Sequence, residues 1–137
     1  MKYRISIFCL FLSLTQNSLG GSVEWQGYVI HYTTLNSMLI PPAVAKAHDI
    51  VRSERRIVTN ITIRKDNEAV KASVKGYTTN LFGQIFTMSF DQVEEPKAIY
   101  YLSNQLIDER DILDFEIDIS PSGLEQSYIL EFRRQYF

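Results

Sequence analysis

Two histidines, His31 and His48, are the candidate general bases of this chain. The sequence places no nucleophile beside either of them, since it has no Gly-x-Ser-x-Gly elbow and its single cysteine, Cys9, lies near the N-terminus. His31 falls in a predicted strand. His48 falls at the end of a predicted helix, where the helix dipole alone favours a histidine. We therefore expect no catalytic residue, no cofactor and no enzymatic activity.

A group of carboxylates near the C-terminus offers the oxygen ligands that calcium prefers. Its spacing matches no calcium-binding loop, and its last three members alternate along a predicted strand as solvent-facing residues do. A solvated strand face is the better interpretation, so we expect no metal site. The group consists of Asp108, Glu109, Asp111, Asp114, Glu116 and Asp118.

The segment 36–56 departs from the strand pattern of the rest of the chain. Pro41 and Pro42 suit the first positions of a helix, and the residues that follow, up to His48, have high helix propensity. We expect a short helical insert whose apolar face packs on a sheet. The predicted apolar face consists of Ile40, Val44 and Ala47.

Loops on a rigid sandwich usually carry binding residues, and two non-strand segments here have a specific composition. They are the insert and the connection 79–84, which has a central glycine, Gly83. The basic residues of the insert could hold an anionic partner, although a solvated loop is the better interpretation. The predicted interaction surface consists of Asn36, Ser37, Arg52, Arg55, Thr79, Asn80 and Gln84.

Residues 1–21 have the layout of a cleaved secretory signal peptide. Lys2 and Arg4 precede an apolar run, Ile5–Leu14, and small residues follow it. The run is too short to span a membrane. Cleavage after Gly20 or Gly21 would leave a single domain, 22–137.

The charge of this domain bounds its partners. Removing Lys2 and Arg4 from the fourteen bases leaves twelve against sixteen acids, a net charge of −4. An acidic surface argues against nucleic-acid binding, which needs a basic one. Without Cys9 the domain has no disulfide, and it contains no second apolar segment that could cross a membrane.

Alternating apolar residues predict seven strands, and no repeated strand–helix–strand pattern links them. This pattern is typical of an all-β, antiparallel immunoglobulin-like β-sandwich, with the helical insert after the first strand. An up-and-down barrel is the competing architecture. Gly76 interrupts one strand, as a bulge would. The predicted strands are Trp25–Thr33, Arg55–Lys65, Val70–Val74, Ile85–Val93, Ala98–Leu102, Ile112–Ser120 and Tyr128–Tyr136.

The alternation also assigns faces. Phe86, Met88 and Phe90 should face inward, as should Phe115 and its neighbours two residues away. The turn residues 121–123 predict a hairpin between the last two strands. Three like charges on one strand repel, so a register with Arg133 beside Asp114 or Glu116 is expected.

Several spaced motifs resemble a family of small secreted gammaproteobacterial proteins that is labelled only as a domain of unknown function. The motifs include Pro42-x-Val44-Ala45, Ile50-x-Arg52-Ser53, Thr79-Asn80-Leu81-x-Gly83-Gln84, Ala98–Leu102 and the ending Phe132–Phe137. The resemblance covers nearly all of the domain and implies a periplasmic β-sandwich of a Gram-negative bacterium. It implies no activity or cofactor. His48-Asp49 stands where an aromatic residue and glycine are expected.

Three functions remain open. The first is a non-enzymatic periplasmic module that contacts another envelope protein. The second is a periplasmic protein that binds a small ligand through tyrosine and tryptophan side chains. An enzyme with an unrecognised site is the last of the three. An enclosed apolar pocket would favour the ligand binder, and an exposed apolar patch or open strand edge would favour the module.

Overall fold

The structure, a computed structural model, describes residues 19–108 and 110–136. Most of the predicted signal peptide, as well as Glu109 and Phe137, lies outside the described residues. Within residues 19–108 and 110–136, the insert contains a 3-10 turn, Ser37–Leu39, and one helix, α1 (Pro42–Ala47). The strands are β1 (Leu19–Trp25), β2 (Tyr28–Asn36), β3 (Arg56–Lys65), β4 (Glu68–Ala69), β5 (Ala72–Thr79), β6 (Ile85–Met88), β7 (Asp91–Glu95), β8 (Ala98–Leu106), β9 (Asp111–Pro121) and β10 (Tyr128–Tyr136).

The strands form two open antiparallel sheets that pack face to face. The first has the order β1-β2-β3-β8-β7, with β4 pairing the end of β3, and the second has the order β10-β9-β5-β6. The predicted antiparallel sandwich is therefore confirmed, and the alternative of a single closed sheet is wrong. Strands β8 and β5 face each other, because Gln105 and Thr78 are joined by a 2.9 Å hydrogen bond between their side chains.

The described residues contain ten strands rather than the predicted seven. β1 and the two-residue β4 went unrecognised, and the segment predicted as one strand, Ile85–Val93, is two. Ser89 and Phe90 interrupt it, so that β6 and β7 join different sheets. The insert accordingly follows the second strand, not the first. Cleavage after Gly20 or Gly21 would shorten β1, whose residues 19–21 pair with β2.

Local sequence explains the hairpins. Asp66 and Asn67 join β3 to β4 with φ angles of 51° and 65°, the left-handed region that aspartate and asparagine tolerate best after glycine. Gln26 and Gly27 join β1 to β2 in a similar way, with φ angles of 48° and 81°. These turns fix the register of the strands on either side.

The main core lies between the sheets. Ile30, Ile61, Ile63, Leu113, Ile117 and Ile119 are fully buried there. Phe115 packs on Phe132 with ring centroids 4.5 Å apart, and Phe132 packs on Tyr32 across the sandwich at 4.7 Å. The inward assignments of Phe115, Met88 and Phe90 are confirmed, whereas Phe86 has the same parity but is 41% exposed, because β6 is an edge strand.

The insert forms a partial third layer on the outer face of the first sheet. Ile40 and Val44 are buried against Val58, as the predicted apolar face requires. Ala47 is exposed, and Ala45 takes the buried position in its place. Because Val58 faces the insert while Ile57 and Ile61 face the sandwich core, β3 is buried on both faces.

Candidate functional site

The predicted interaction residues lie at one end of the sandwich. The insert leaves β2 at Asn36, and the turn after β5 begins at Asn80. Both are near the end of β8, because Arg56 pairs with Leu106 and the neighbouring Gln105 bonds to Thr78. The sandwich therefore brings the two segments to the same end, although they are far apart in sequence.

In the insert, Asn36 and Ser37 hold the ends of the segment together. The Asn36 side chain accepts a 2.9 Å hydrogen bond from the Met38 amide and donates one of 2.8 Å to the Glu54 carbonyl. The buried Ser37 hydroxyl donates to the Ser53 carbonyl and accepts from the Ser53 amide, both at 2.9 Å. These two residues support the insert and do not present a free binding group.

Arg52 and Arg55 are the exposed basic residues of the predicted surface. The Arg52 guanidinium donates a 3.0 Å hydrogen bond to the Met38 carbonyl, so it too braces the insert. The Arg55 side chain is exposed, while its carbonyl accepts a 2.7 Å hydrogen bond from the Ile107 amide. Exposed apolar side chains lie beside them: Met38, Leu39 and Val51 on the insert, and Leu106 at the end of β8.

Asn80 shapes the connection between β5 and β6, which we call the 80–84 loop. Its side-chain oxygen accepts hydrogen bonds from the Phe82 amide at 3.0 Å and from the Gln84 amide at 2.9 Å. Its side-chain nitrogen donates to the Gln84 side chain at 2.7 Å. Gly83 has a φ of 78°, which lets the loop close. Asn80 is only 6% exposed, so its role in the folded chain is structural.

The loop that Asn80 closes presents apolar side chains to solvent. Leu81 is 66% exposed and Phe82 is 87% exposed, and on the adjoining strand β6 Ile85 is 67% exposed. We call these three residues, together with Phe86 on the other face of β6, the apolar tip. Sequence reasoning selected the polar residues of this segment and missed the apolar ones. The signal in the sequence that could have revealed these apolar residues is the absence of any charged side chain over residues 76–90.

Two concavities bear on the ligand-binding alternative. A cavity of about 40 Å³ lies between the insert and the first sheet, lined by His48, Ile50, Val58 and Asp91 among others. An open groove of about 480 Å³ lies on the outer face of the second sheet, where Glu116, Glu131 and Arg133 contribute to its wall. Sites for small molecules are enclosed, mostly apolar and roughly 300–1,000 Å³ in volume. The cavity is too small and the groove too open to favour such a ligand.

The three carboxylates on β9 that were considered for calcium have partners within the protein. Asp114 pairs with Arg133, the Glu116 carboxylate accepts a hydrogen bond from the Tyr77 hydroxyl, and Asp118 accepts one from Ser120 at 3.3 Å. The bond to Glu116 raises the pKa of Tyr77. Over residues 19–108 and 110–136, no three histidine, cysteine or acidic side chains are grouped as a metal would require.

The two histidines lie apart. His31 is exposed on β2, and His48 ends α1, where its amide bonds to the carbonyls of the last turn. In the part of the chain that the structure describes, no helix is long and apolar enough to cross a membrane.

Comparison with known proteins identifies the family. A family model described as domain of unknown function DUF4426 matches residues 22–137. The chain belongs to the DUF4426 family. The crystal structure of a DUF4426 family protein from Pseudomonas aeruginosa PAO1 is 30% identical, with a TM-score of 0.77 over 86% of this chain and 94% of that one. The resemblance noted in the sequence is thus confirmed.

Other solved structures share the fold at low identity. FetP of uropathogenic Escherichia coli strain F11, in a copper-bound variant, is 9% identical, with a TM-score of 0.60 over 87% of this chain and 95% of that one. FetP as isolated after expression in the periplasm of E. coli gives the same identity and TM-score, over 87% of this chain and 94% of that one. No curated protein matches the sequence significantly.

Proposed function

We propose that this DUF4426 protein is a non-enzymatic periplasmic module that binds another protein of the cell envelope through the apolar tip. The observation that carries the proposal is the exposure of Phe82, at 87%, on a loop that internal hydrogen bonds hold closed. Exposing large apolar side chains to water is unfavourable, and contiguous groups of them commonly mark interaction sites.

The order of the loop supports binding rather than incidental exposure. Asn80 fixes the backbone on both sides of Phe82, so little conformational entropy remains to be lost when a partner covers the ring. Aromatic residues, phenylalanine among them, are also enriched at the buried core of protein interfaces. A rigid loop with an exposed phenylalanine fits that role.

The periplasmic location is supported by residues 1–21, which have the pattern of a signal peptide. Mass spectrometry of protein recovered from the periplasm should show an N-terminus near Gly21 or Ser22. Recovery of the full-length chain in the inner membrane would contradict this location. We do not extend the copper binding of FetP to this chain, because a 9% identity carries the fold alone.

Photo-crosslinking in living cells tests the proposal. A benzophenone amino acid in place of Phe82 should give a discrete crosslinked product with an envelope protein on irradiation. The matched control places the same amino acid at Ile129, an apolar residue that is 42% exposed on the outer face of β10. Equal crosslinking from both positions, or none from position 82, would argue against a binding site at the apolar tip.

A further inference from the structure

Strand β6 leaves one side of its backbone unpaired among the described residues, because it is the last strand of its sheet. The Asn80 amide donates a 3.1 Å hydrogen bond to the Gln84 carbonyl, and the register continues as Thr79 opposite Ile85 and Thr78 opposite Phe86. Residues of an antiparallel strand bond alternately to one side and the other. Phe86 and Met88 therefore point their main-chain groups toward β5, and Ile85 and Thr87 point theirs to the open side.

This edge strand is short, but it carries no residue of the kinds that normally discourage strand addition. Natural proteins protect edge strands with charged side chains, proline or bulges. The other edge strands of the two sheets carry charges: Glu24 on β1, Asp91, Glu94 and Glu95 on β7, and Glu131, Arg133 and Arg134 on β10. β6 consists of Ile-Phe-Thr-Met and has none of these protective residues.

We propose that β6 accepts an extended segment of the partner as an added strand. This inference rests on the proposed function and specifies its mode of binding. An added strand would bond to the main chain of Ile85 and Thr87, and its alternate side chains would cover Ile85 on one face and Phe86 on the other. Since the edge is uncharged and apolar, the pairing part of the segment is uncharged and apolar too.

The neighbouring edge strand, β7, indicates which charges should flank the apolar part of the partner's segment. Because β8 faces β5, the edge strands β7 and β6 lie on the same side of the sandwich. β7 carries three acids, of which Glu94 pairs with Lys71 at 3.1 Å, leaving Asp91 and Glu95. A second copy added through β6 would bring two acidic β7 strands together. A segment of another protein with basic residues beside its apolar stretch is the better occupant.

The test uses two synthetic, fluorescently labelled peptides and the full chain expressed with its leader. One peptide is Lys-Lys-Val-Thr-Val-Thr-Val-Lys-Lys, and the other has glutamate in place of every lysine. Fluorescence anisotropy should show at least tenfold tighter binding of the lysine peptide. Thr87→Pro removes an outward amide without removing a β5–β6 bond and should weaken that binding at least tenfold. Thr87→Val keeps the amide and should bind as the wild type does.

Hydrogen exchange provides a readout that needs no variant. Saturation with the lysine peptide should slow exchange of the Ile85 and Thr87 amides at least tenfold. The inference is overturned if the lysine peptide fails to bind or if exchange protection appears elsewhere. It is also overturned if a folded Thr87→Pro variant binds the peptide as the wild type does, or if the protein forms dimers that this variant abolishes. Crosslinking from position 82 that persists in Thr87→Pro would reject strand addition alone and leave the proposed function standing.

Discussion

Arg133 lies directly opposite Asp114 in the β9–β10 pair and binds it through two hydrogen bonds, of 2.6 and 2.8 Å. The alternation of inward and outward residues along both strands, together with their charges, predicts this contact, and the structure confirms it. The same register places Glu131 opposite Glu116 and Ile129 opposite Asp118. Only one of the three outward acids can meet the arginine directly, and the Glu116 carboxylate is instead bonded by the Tyr77 hydroxyl from the other side.

The two faces of this hairpin should differ greatly in their contribution to stability. Phe115 is 2% exposed and stacks on Phe132, so Phe115→Ala should lower the free energy of unfolding by about 3–5 kcal/mol. The Arg133 and Asp114 side chains are more than half exposed, so Arg133→Ala should change the urea midpoint only slightly. Urea unfolding followed by circular dichroism compares the two variants. A larger effect at Arg133 would show that the faces are wrongly assigned.

The Arg133–Asp114 contact should also be visible in acid. The hydrogen bond from Arg133 lowers the pKa of Asp114 below its usual 3.8. A lowered pKa in the folded state means that the contribution is present above pH 3.8 and is lost as the pH falls through the lowered value. The small stability difference between wild type and Arg133→Ala should therefore be constant near neutrality and disappear in strong acid. A difference that grows on acidification would contradict the assignment.

A side chain at Gly76 should destabilise the fold. The cause is close backbone packing and not the bulge that the sequence predicts. The β5–β9 register runs without interruption through Gly76 opposite Ile117, so no bulge is present there. A Cβ at this position would lie 2.5 Å from the Glu116 carbonyl oxygen and 3.0 Å from the Ile117 Cα. Gly76→Ala should cost roughly 1–3 kcal/mol by overpacking against backbone. Thermal unfolding measures this, and a Tm equal to that of the wild type would show that the β9 backbone shifts to accept the methyl group.

Asn80 and Arg52 should respond differently to alanine. Both residues belong to the interaction surface predicted from the sequence. Asn80→Ala removes the acceptor of two loop amides and should cost about 1–2 kcal/mol, because water can reach part of the loop. Arg52→Ala removes one exposed hydrogen bond and should leave the Tm nearly unchanged. Equal Tm values for Asn80→Ala and wild type would show that the hydrogen bonds of Asn80 are dispensable.

The parts of the fold that could be predicted are those where one face of a strand is buried. Leu113, Phe115, Ile117 and Ile119 alternate without exception, so β9 is readable from the sequence. The burial of residues on edge strands is harder to predict. Phe86 has the inward parity, but no strand lies beyond β6 to cover it. The candidate site was found only in part. Polar loop residues attract attention, yet Asn80 turns inward to bond the backbone and Phe82 turns outward.

Alkaline pH should destabilise the protein partly through Tyr136. Burial raises the pKa of Tyr136 to about 12, and its hydroxyl donates a 2.8 Å hydrogen bond to the buried Thr34 hydroxyl. Because the folded pKa is raised above the unfolded value of 10, this contribution is intact below pH 10 and is lost as the pH rises toward 12. A shift of about two pKa units corresponds to roughly 3 kcal/mol. Tyr136→Phe should be less stable than wild type at pH 7, since Thr34 loses its partner, but should lose less stability between pH 10 and 12. Parallel loss in both proteins on urea unfolding would mean that Tyr136 ionises as freely in the folded chain as in the unfolded one.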